Sequence, residues 1–198
     1  MVQRPKGDVD RKDEIDKVLL RQISEDRSSV AMKTLYESYR SRLVPFLRRM
    51  TSDHSVIEET YNDVMLTLWN KSAQFKGDSK VSSWIFQIAY RDCLKLIRKQ
   101  KFREQVVEKL LFQTLEDDQE HEKSDDLQSE LLRLAIKSLP TKQRIVIELS
   151  YFEGYSIQEI SEIASCPSNT VKTRLHHARQ KIRAYIDAAK LDENTSNE

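Results

Sequence analysis

Residues 155–186 read YSIQEISEIASCPSNTVKTRLHHARQKIRAYI, and this stretch decides the fold. Ser156-Ile157-Gln158-Glu159 is a capping box: the Ser hydroxyl and the Glu carboxylate reciprocally satisfy backbone amides that a helix start leaves unpaired, which predicts a helix beginning at Ser156. Ile157, Ile160 and Ile163 with Ala164 form its buried stripe. Ser165-Cys166-Pro167-Ser168 is a short break, because Pro167 cannot continue the first helix and is pre-set for the first turn of a second. The second helix, about Pro167 to Ile186, places Val171, Leu175, Ala178, Ile182 and Tyr185 or Ile186 on one side at spacings of three and four.

The opposite side carries Asn169, Thr170, Lys172, Thr173, Arg174, His177, Arg179, Lys181 and Arg183, and no acid occurs from Ser165 to Ala184. A solvated helix ordinarily mixes signs to gain i,i+4 pairs, so an acid-free face of this length suits a polyanion. A capped helix, a tight turn and a basic second helix together read as a helix-turn-helix whose second helix lies against DNA. Adjacent His176 and His177 project about 100° apart on a helix and cannot share a metal.

Outward from this motif the chain reads as almost wholly helical. Only three Gly and four Pro occur in 198 residues, and Leu, Ile, Glu, Lys, Arg and Gln dominate over alternating β-branched runs. With 38% hydrophobic residues the chain can bury one ordinary core or two small ones. No apolar run approaches the roughly 20 residues that span a bilayer, and the charged N-terminus lacks the apolar stretch of a secretory signal, so a cytoplasmic protein without membrane insertion is expected. Cys93 and Cys166 are too few for a disulfide framework or thiolate metal site. No nucleophile-base pair, phosphate-cradling Gly loop or paired-carboxylate motif stands out, which argues against an enzyme and implies no cofactor or metal.

The net charge of +1 hides a segmented pattern. From Lys71 to Arg103 nine Lys or Arg face two Asp; from Glu116 to Glu130 there are eight acids and one Lys; from Leu131 to Lys190 ten bases face five acids. The expected architecture is all-α: two small helical domains joined by an acidic flexible linker. Residues 1–14 and 189–198 are polar and aperiodic and are expected to be disordered. Helical periodicity over 15–101 predicts a bundle of about four helices, with Pro45 bending or interrupting one of them and a Lys76-Gly77-Asp78-Ser79 loop preceding a helix capped by Ser82 or Ser83. Residues 102–129 are the linker, and 130–188 form the second domain, in which Leu139-Pro140 separates two helices and Gly154 ends the next in a left-handed conformation.

The run Leu139-Pro140, Gln143-Arg144-Ile145-Val146, Tyr151-Phe152-Glu153-Gly154-Tyr155-Ser156, Glu159-Ile160 and Asn169 through Arg179 resembles region 4 of the sigma-70 family of transcription initiation factors. Upstream, Leu35-Tyr36, Tyr39-Arg40, Leu43, Glu58-Glu59, Asn62-Asp63-Val64, Leu66, Leu68-Trp69, Phe75 through Ser79, Trp84-Ile85 and Ile88-Ala89 are similar to region 2. With no room for the family's other domains, the chain resembles the extracytoplasmic-function (ECF) subgroup.

That resemblance implies a factor that binds core RNA polymerase and directs it to promoters, with roles in stress response. Glu58, Glu59, Asn62, Asp63, Leu66 and Trp69 would dock on the clamp helices of the largest subunit, and the second domain on the flap of the second-largest subunit. Lys76, Gly77, Asp78, Ser79, Lys80 and Ser83, with Gln87, Tyr90, Arg91, Lys95 and Arg98, would grip the minus-ten element as single strand. Asn169, Thr170, Lys172, Thr173 and Arg174 would read the minus-thirty-five element as duplex, with His177 and Arg179 on phosphates. The acidic linker would thread the polymerase cleft.

Two departures stand out: Val56 occupies the place of the first member of the family's acidic cluster and Thr60 that of an aliphatic residue, while Arg91 replaces a frequent Asn. A harmless substitution is the favoured expectation; the alternative is weaker core binding, which phosphorylation of Thr60 or Ser55, adding about two negative charges, would strengthen. An anti-sigma factor or a protein kinase is the kind of partner that would control such a chain. The competing reading is a helix-turn-helix regulator with a helical sensor domain, against which the region 2 resemblance stands.

Overall fold

A computed structural model describes residues 6–108 and 127–195. In chain order the helices are α1 (Lys6–Asp26), α2 (Ser29–Arg48), α3 (His54–Lys71), α4 (Val81–Glu108), α5 (Leu127–Lys137), α6 (Thr141–Ile147), α7 (Ile157–Ile163) and α8 (Ser168–Thr195); a 3-10 turn over Ser72–Gln74 follows α3 and a π turn over Glu148–Phe152 follows α6. No strand occurs among the described residues, as the composition implies.

The first four helices form one bundle around Leu35, Tyr39, Leu43, Phe46, Tyr61, Leu68, Ile85 and Phe86, all fully buried. Helix α2 starts where the Ser28 hydroxyl accepts from the Ala31 amide at 3.2 Å. The residue before it, Arg27, sits in the left-handed region at φ +52°. Its guanidinium holds it there, lying 4.3 Å from the Trp69 ring centroid and donating to the Trp69 carbonyl at 2.7 Å. Helix α3 is capped by Asp53, whose carboxylate accepts from the amides of Ser55 and Val56 and from Gln100 of α4. The Ser55 hydroxyl, foremost among these donors, holds Asp53 below the ordinary carboxylate pKa.

Three expectations for this bundle change. Residues 6–14, expected to be disordered, belong to α1, because their anchors are polar rather than apolar: the Asp13 carboxylate accepts from the Val81 amide at 2.7 Å, and Asp16 accepts from the Tyr39 hydroxyl at 2.6 Å, each in the interior. The cap of α4 is therefore Asp13, not Ser82 or Ser83. Pro45 does not interrupt α2, which runs on to Arg48. Pro45 and Ser41, whose carbonyl loses its partner, are both exposed, so water can serve the freed carbonyl.

The second unit packs α5, α6 and α7 on α8 around Ile145, Val146, Leu149, Ile160, Ile163, Val171 and Ala178. The capping box at Ser156 is formed in both directions, with Ser156 amide to Glu159 carboxylate at 2.8 Å and Glu159 amide to Ser156 hydroxyl at 3.3 Å. Gly154 adopts φ +75°, as its position predicts. The helix it ends, expected to run as one element to Tyr151, instead widens into the π turn. Helix α8 continues to Thr195, past the boundary expected at 188. The acidic stretch Glu116–Asp126 lies outside the described residues.

The two units are in contact: α4 lies along α7, and their buried residues form one continuous cluster.

Candidate nucleic-acid and polymerase interfaces

Helix α8 is built in the helical phase that the sequence predicts. Its apolar stripe is inside, while Asn169, Lys172, Thr173, His177 and Arg179 are exposed and Thr170 and Arg174 half-buried. The turn before it is fixed by Ser165 at φ +47°, by the Ser161 hydroxyl donating to the Cys166 carbonyl at 2.7 Å, and by the Ser168 hydroxyl donating to Gln158 at 3.0 Å. Free amides at the start of α8 and the bases after it add to one positive field. Arg174 is turned back, donating to the Cys166 thiol sulfur at 3.4 Å.

The loop before α4 exposes Lys76, Gly77 and Asp78, with Ser79 and Lys80 half-buried. Gly77 supplies φ +81°, a left-handed turn that favours glycine. On α4, Arg91, Lys95 and Arg98 are exposed and Gln87 is half-buried. Ser83 and Tyr90 are not on the surface: Ser83 is 2% exposed and faces the bundle, and Tyr90 is 8% exposed. Burial raises the Tyr90 hydroxyl pKa, and Arg174 and Cys166 lie close enough to act on it.

On α3, Glu59, Asn62, Asp63 and Leu66 recur at three- and four-residue spacing and are all exposed, forming one acidic strip around an apolar centre, with Leu66 57% exposed. Glu58 is engaged by Arg40 at 3.0 Å and Trp69 is covered by Arg27. Val56 and Thr60 point the other way, into the core; the Thr60 hydroxyl is fully buried and donates to the Val56 carbonyl at 2.6 Å. Ser55 is exposed at the start of the helix.

These surfaces do not lie apart. Lys80 pairs with Glu159 of α7 at 3.0 Å, and the Gln87 amide donates to the Glu162 carbonyl at 2.9 Å. Deeper in the interface, Arg42 of α2 meets Glu153 at 2.7 Å and the Tyr155 hydroxyl at 3.3 Å, with its guanidinium 5.2 Å from the Phe86 ring and 5.5 Å from the Tyr39 ring. Burial disfavours the Arg42 charge, but Tyr155, Glu153 and Tyr39 more than offset this and its pKa is raised. Arg49 pairs with Glu148 at 3.2 Å; burial raises the Glu148 pKa despite that partner.

Sequence reasoning missed Asp13, Asp16, Arg42, Glu148 and Glu153. A signal existed for Arg42, an arginine in helical phase with the apolar face of Leu35, Tyr39, Leu43 and Phe46. None existed for the acids, whose partners lie far away in sequence. Among the described residues no three His, Cys, Asp or Glu side chains gather as a metal site, and no helix is long and apolar enough to cross a membrane.

Comparison with known proteins decides the family. A family model described as "Sigma-70, region 4" matches residues 129–182, and one described as "Sigma-70 region 2" matches residues 35–103. The chain is 31% identical to the ECF RNA polymerase sigma factor RpoE of Cereibacter sphaeroides over 89% of its own length and 98% of that protein's.

The chain belongs to the ECF sigma factors.

It is also 27% identical to the RNA polymerase sigma factor YlaC of Bacillus subtilis, over 82% of this chain and 96% of that one. Among solved structures it is similar in fold to the sigma factor RpoE in complex with the anti-sigma factor NepR from Bartonella quintana, with TM-score 0.63 and 23% identity over 78% of this chain and 96% of the other. CnrH in complex with the cytosolic domain of CnrY gives TM-score 0.62 at 21% identity, over 88% and 98%. Region 2 thus falls within the bundle of α1–α4, over residues 35–103, and region 4 within that of α5–α8, over residues 129–182, and this ECF sigma factor is a promoter-directing transcription initiation factor.

Proposed function

We propose that this sigma factor divides its work among three surfaces. The start of α8, through Asn169, Thr170, Lys172, Thr173 and Arg174, reads the minus-thirty-five duplex in the major groove, and His177 and Arg179 hold phosphates. The Lys76–Lys80 loop with Gln87, Tyr90, Arg91, Lys95 and Arg98 holds the minus-ten strand, where an unstacked base, costing a few kcal/mol to extrude, is offset by stacking and phosphate contacts. The exposed strip of Glu59, Asn62, Asp63 and Leu66, flanked by Glu58 and Trp69, docks on the clamp helices of core polymerase, and region 4 on the flap.

The observation that carries this reading is the acid-free exposed face of α8 from Ser168 to Ala184, presented by a formed capping box and a tight turn. The test is transcription with core polymerase on promoters selected from genomic fragments. Lys172→Ala should lower initiation at a promoter with a minus-thirty-five element and flatten its salt dependence, because one phosphate or base contact is lost. Leu66→Glu should reduce core binding and leave duplex binding by the free chain alone. Failure of the wild-type chain to bind core or initiate anywhere would sink the reading.

Regulation by an anti-sigma factor is suggested by the similar structure of RpoE from Bartonella quintana, which is a complex with the anti-sigma factor NepR. For a kinase, the exposed Ser55 is the better acceptor. The Thr60 hydroxyl is enclosed and bonded within its helix, so a phosphate there requires α3 to repack.

A further inference from the structure

We propose that Phe102, in the last turns of α4, is a stacking platform for one unpaired base of the melted promoter strand, at the end of a single-strand track laid along the helix by Arg91, Lys95 and Arg98. The inference rests on the assignment of α4 to the minus-ten strand.

Phe102 is 69% exposed, the most exposed aromatic side chain among the described residues. A single apolar residue on a surface is ordinary; its phase on this helix is not. At about 100° per residue, Arg91, Lys95, Arg98 and Phe102 fall within a stripe about 60° wide. The three cations are exposed along with the ring. The roll of the helix is fixed from behind, because Gln100, two residues before Phe102 and so on the opposite side, donates to the Asp53 carboxylate of α3 at 2.6 Å. Phe102 thus faces away from the bundle, in line with the cations.

The chemistry of this stripe suits an unpaired strand better than a duplex. Cations a turn apart can follow a phosphate backbone, but a flat apolar ring gains nothing from phosphates, and in a duplex the base faces are already stacked on one another. An unpaired base has a free face, and stacking on an aromatic ring beside a basic track is how single strands are held without regard to sequence. Side chains four apart on a helix are neighbours at about 6 Å, so Arg98 can hold the phosphate of the nucleotide whose base lies on Phe102. From Arg91 to Phe102 the track runs about 16 Å at 1.5 Å per residue. The stacked base therefore lies at the other end of the strand from the one extruded at the Lys76–Lys80 loop. A base held in this way is withheld from re-pairing, so the ring prolongs the open state of the promoter and tolerates any of the four bases.

The test uses holoenzyme assembled from the full chain and core polymerase, on a promoter that it opens. The lifetime of the open complex under heparin challenge is compared for wild type, Phe102→Ala, Phe102→Leu and Phe102→Trp. Ala and Leu should each shorten it about tenfold, Leu keeping apolar bulk without a ring, whereas Trp should match or exceed wild type. Single abasic sites are then placed one at a time along the non-template strand. At one of them the difference between wild type and Phe102→Ala should vanish, because the partner base has already gone. An unchanged lifetime for Phe102→Ala, a Leu variant equal to wild type, or a difference that persists at every abasic position overturns the proposal. Lys95→Ala and Arg98→Ala keep its failure distinct from that of the function on which it rests. If they shorten the lifetime and Phe102→Ala does not, the stacking site falls and the assignment of α4 stands; if none of the three has an effect, the minus-ten assignment fails with it.

Discussion

Arg42 of α2 and Glu153, 111 residues later in the chain, meet at 2.7 Å across the contact between regions 2 and 4, with less than a tenth of either side chain exposed. Arg40, two residues earlier, meets Glu58 at 3.0 Å, but in the open, with 46% and 34% of the two side chains exposed. The same chemistry should therefore have different weights at the two places. Neutralising an exposed partner costs under about 1 kcal/mol, whereas removing one partner of a buried pair strands the other and costs about 3 kcal/mol or more. Urea unfolding should show a loss of up to about 3 kcal/mol for Glu153→Gln, capped by the free energy of closure because the chain can open to hydrate Arg42. Glu58→Gln should change stability by less than about 1 kcal/mol. Equal effects would mean that Arg42 is already hydrated in solution.

A second prediction concerns Asp13, whose carboxylate caps a helix 68 residues further on. Replacing a capping carboxylate removes the acceptor for a buried amide and typically costs about 1 kcal/mol. Because that amide belongs to Val81, the loss falls on the first turn of α4 and on the Lys76–Lys80 loop. Asp13→Ala should slow promoter opening, measured by permanganate reactivity of unpaired thymines, and leave duplex binding through α8 unchanged. Loss of both together would point to general unfolding.

These two residues mark where the sequence stopped being legible. Helices α2, α3, α7 and α8 could be read because periodicity and capping act over a few residues: the Ser156–Glu159 box and Gly154 are complete signals by themselves. Asp13, Asp16, Glu148 and Glu153 carry no such signal. In a charged chain each resembles a solvated acid, and only tertiary placement opposite Val81, Tyr39, Arg49 or Arg42 gives it a role. The same reason explains why residues 6–14 read as a polar tail. For the proposed DNA-binding surfaces, residue type and helical phase were enough to place Asn169, Lys172 and Arg91 outside. The burial of Ser83 and Tyr90 depends on loop geometry and on contact with region 4.

A third prediction uses pH. Burial raises the pKa of Glu148 above its ordinary 4.5, with Arg49 opposing, so the folded chain binds a proton there more readily than the unfolded chain. Such a group lends stability as pH falls from neutral through the raised value, and that contribution is withdrawn as pH rises again. Asp53 acts in the opposite sense. Its depressed pKa lends stability above the ordinary 3.8 that is lost as pH falls through the lowered value. Glu148→Gln should therefore flatten the dependence of the thermal midpoint on pH between neutral and 4.5, leaving the acid limb governed by Asp53 in place. An unaltered slope in that window would show that Glu148 is ionised in water rather than held at the interface.

The last prediction bears on Thr60, the residue that departs from the family pattern in the middle of α3. Its side chain is fully enclosed, and its hydroxyl returns to the carbonyl of Val56 one turn earlier, so the polar atom is satisfied without a partner from another helix. Thr and Val have nearly the same shape, and deleting a hydroxyl whose acceptor keeps its helical bond leaves no stranded donor. Thr60→Val should thus change unfolding free energy by less than about 1 kcal/mol and leave core binding intact. Thr60→Glu forces a carboxylate into the enclosed site beside buried Cys93, whose thiol pKa burial already pushes up to about 11. That variant should lose about 3 kcal/mol or expel the residue by shifting α3. Circular dichroism against urea separates the two variants. If Thr60→Glu keeps wild-type stability while binding core more tightly, then α3 repacks easily enough for a charge at position 60 to reach the Glu59–Asp63 strip, and the enclosed threonine is a switch rather than a spacer.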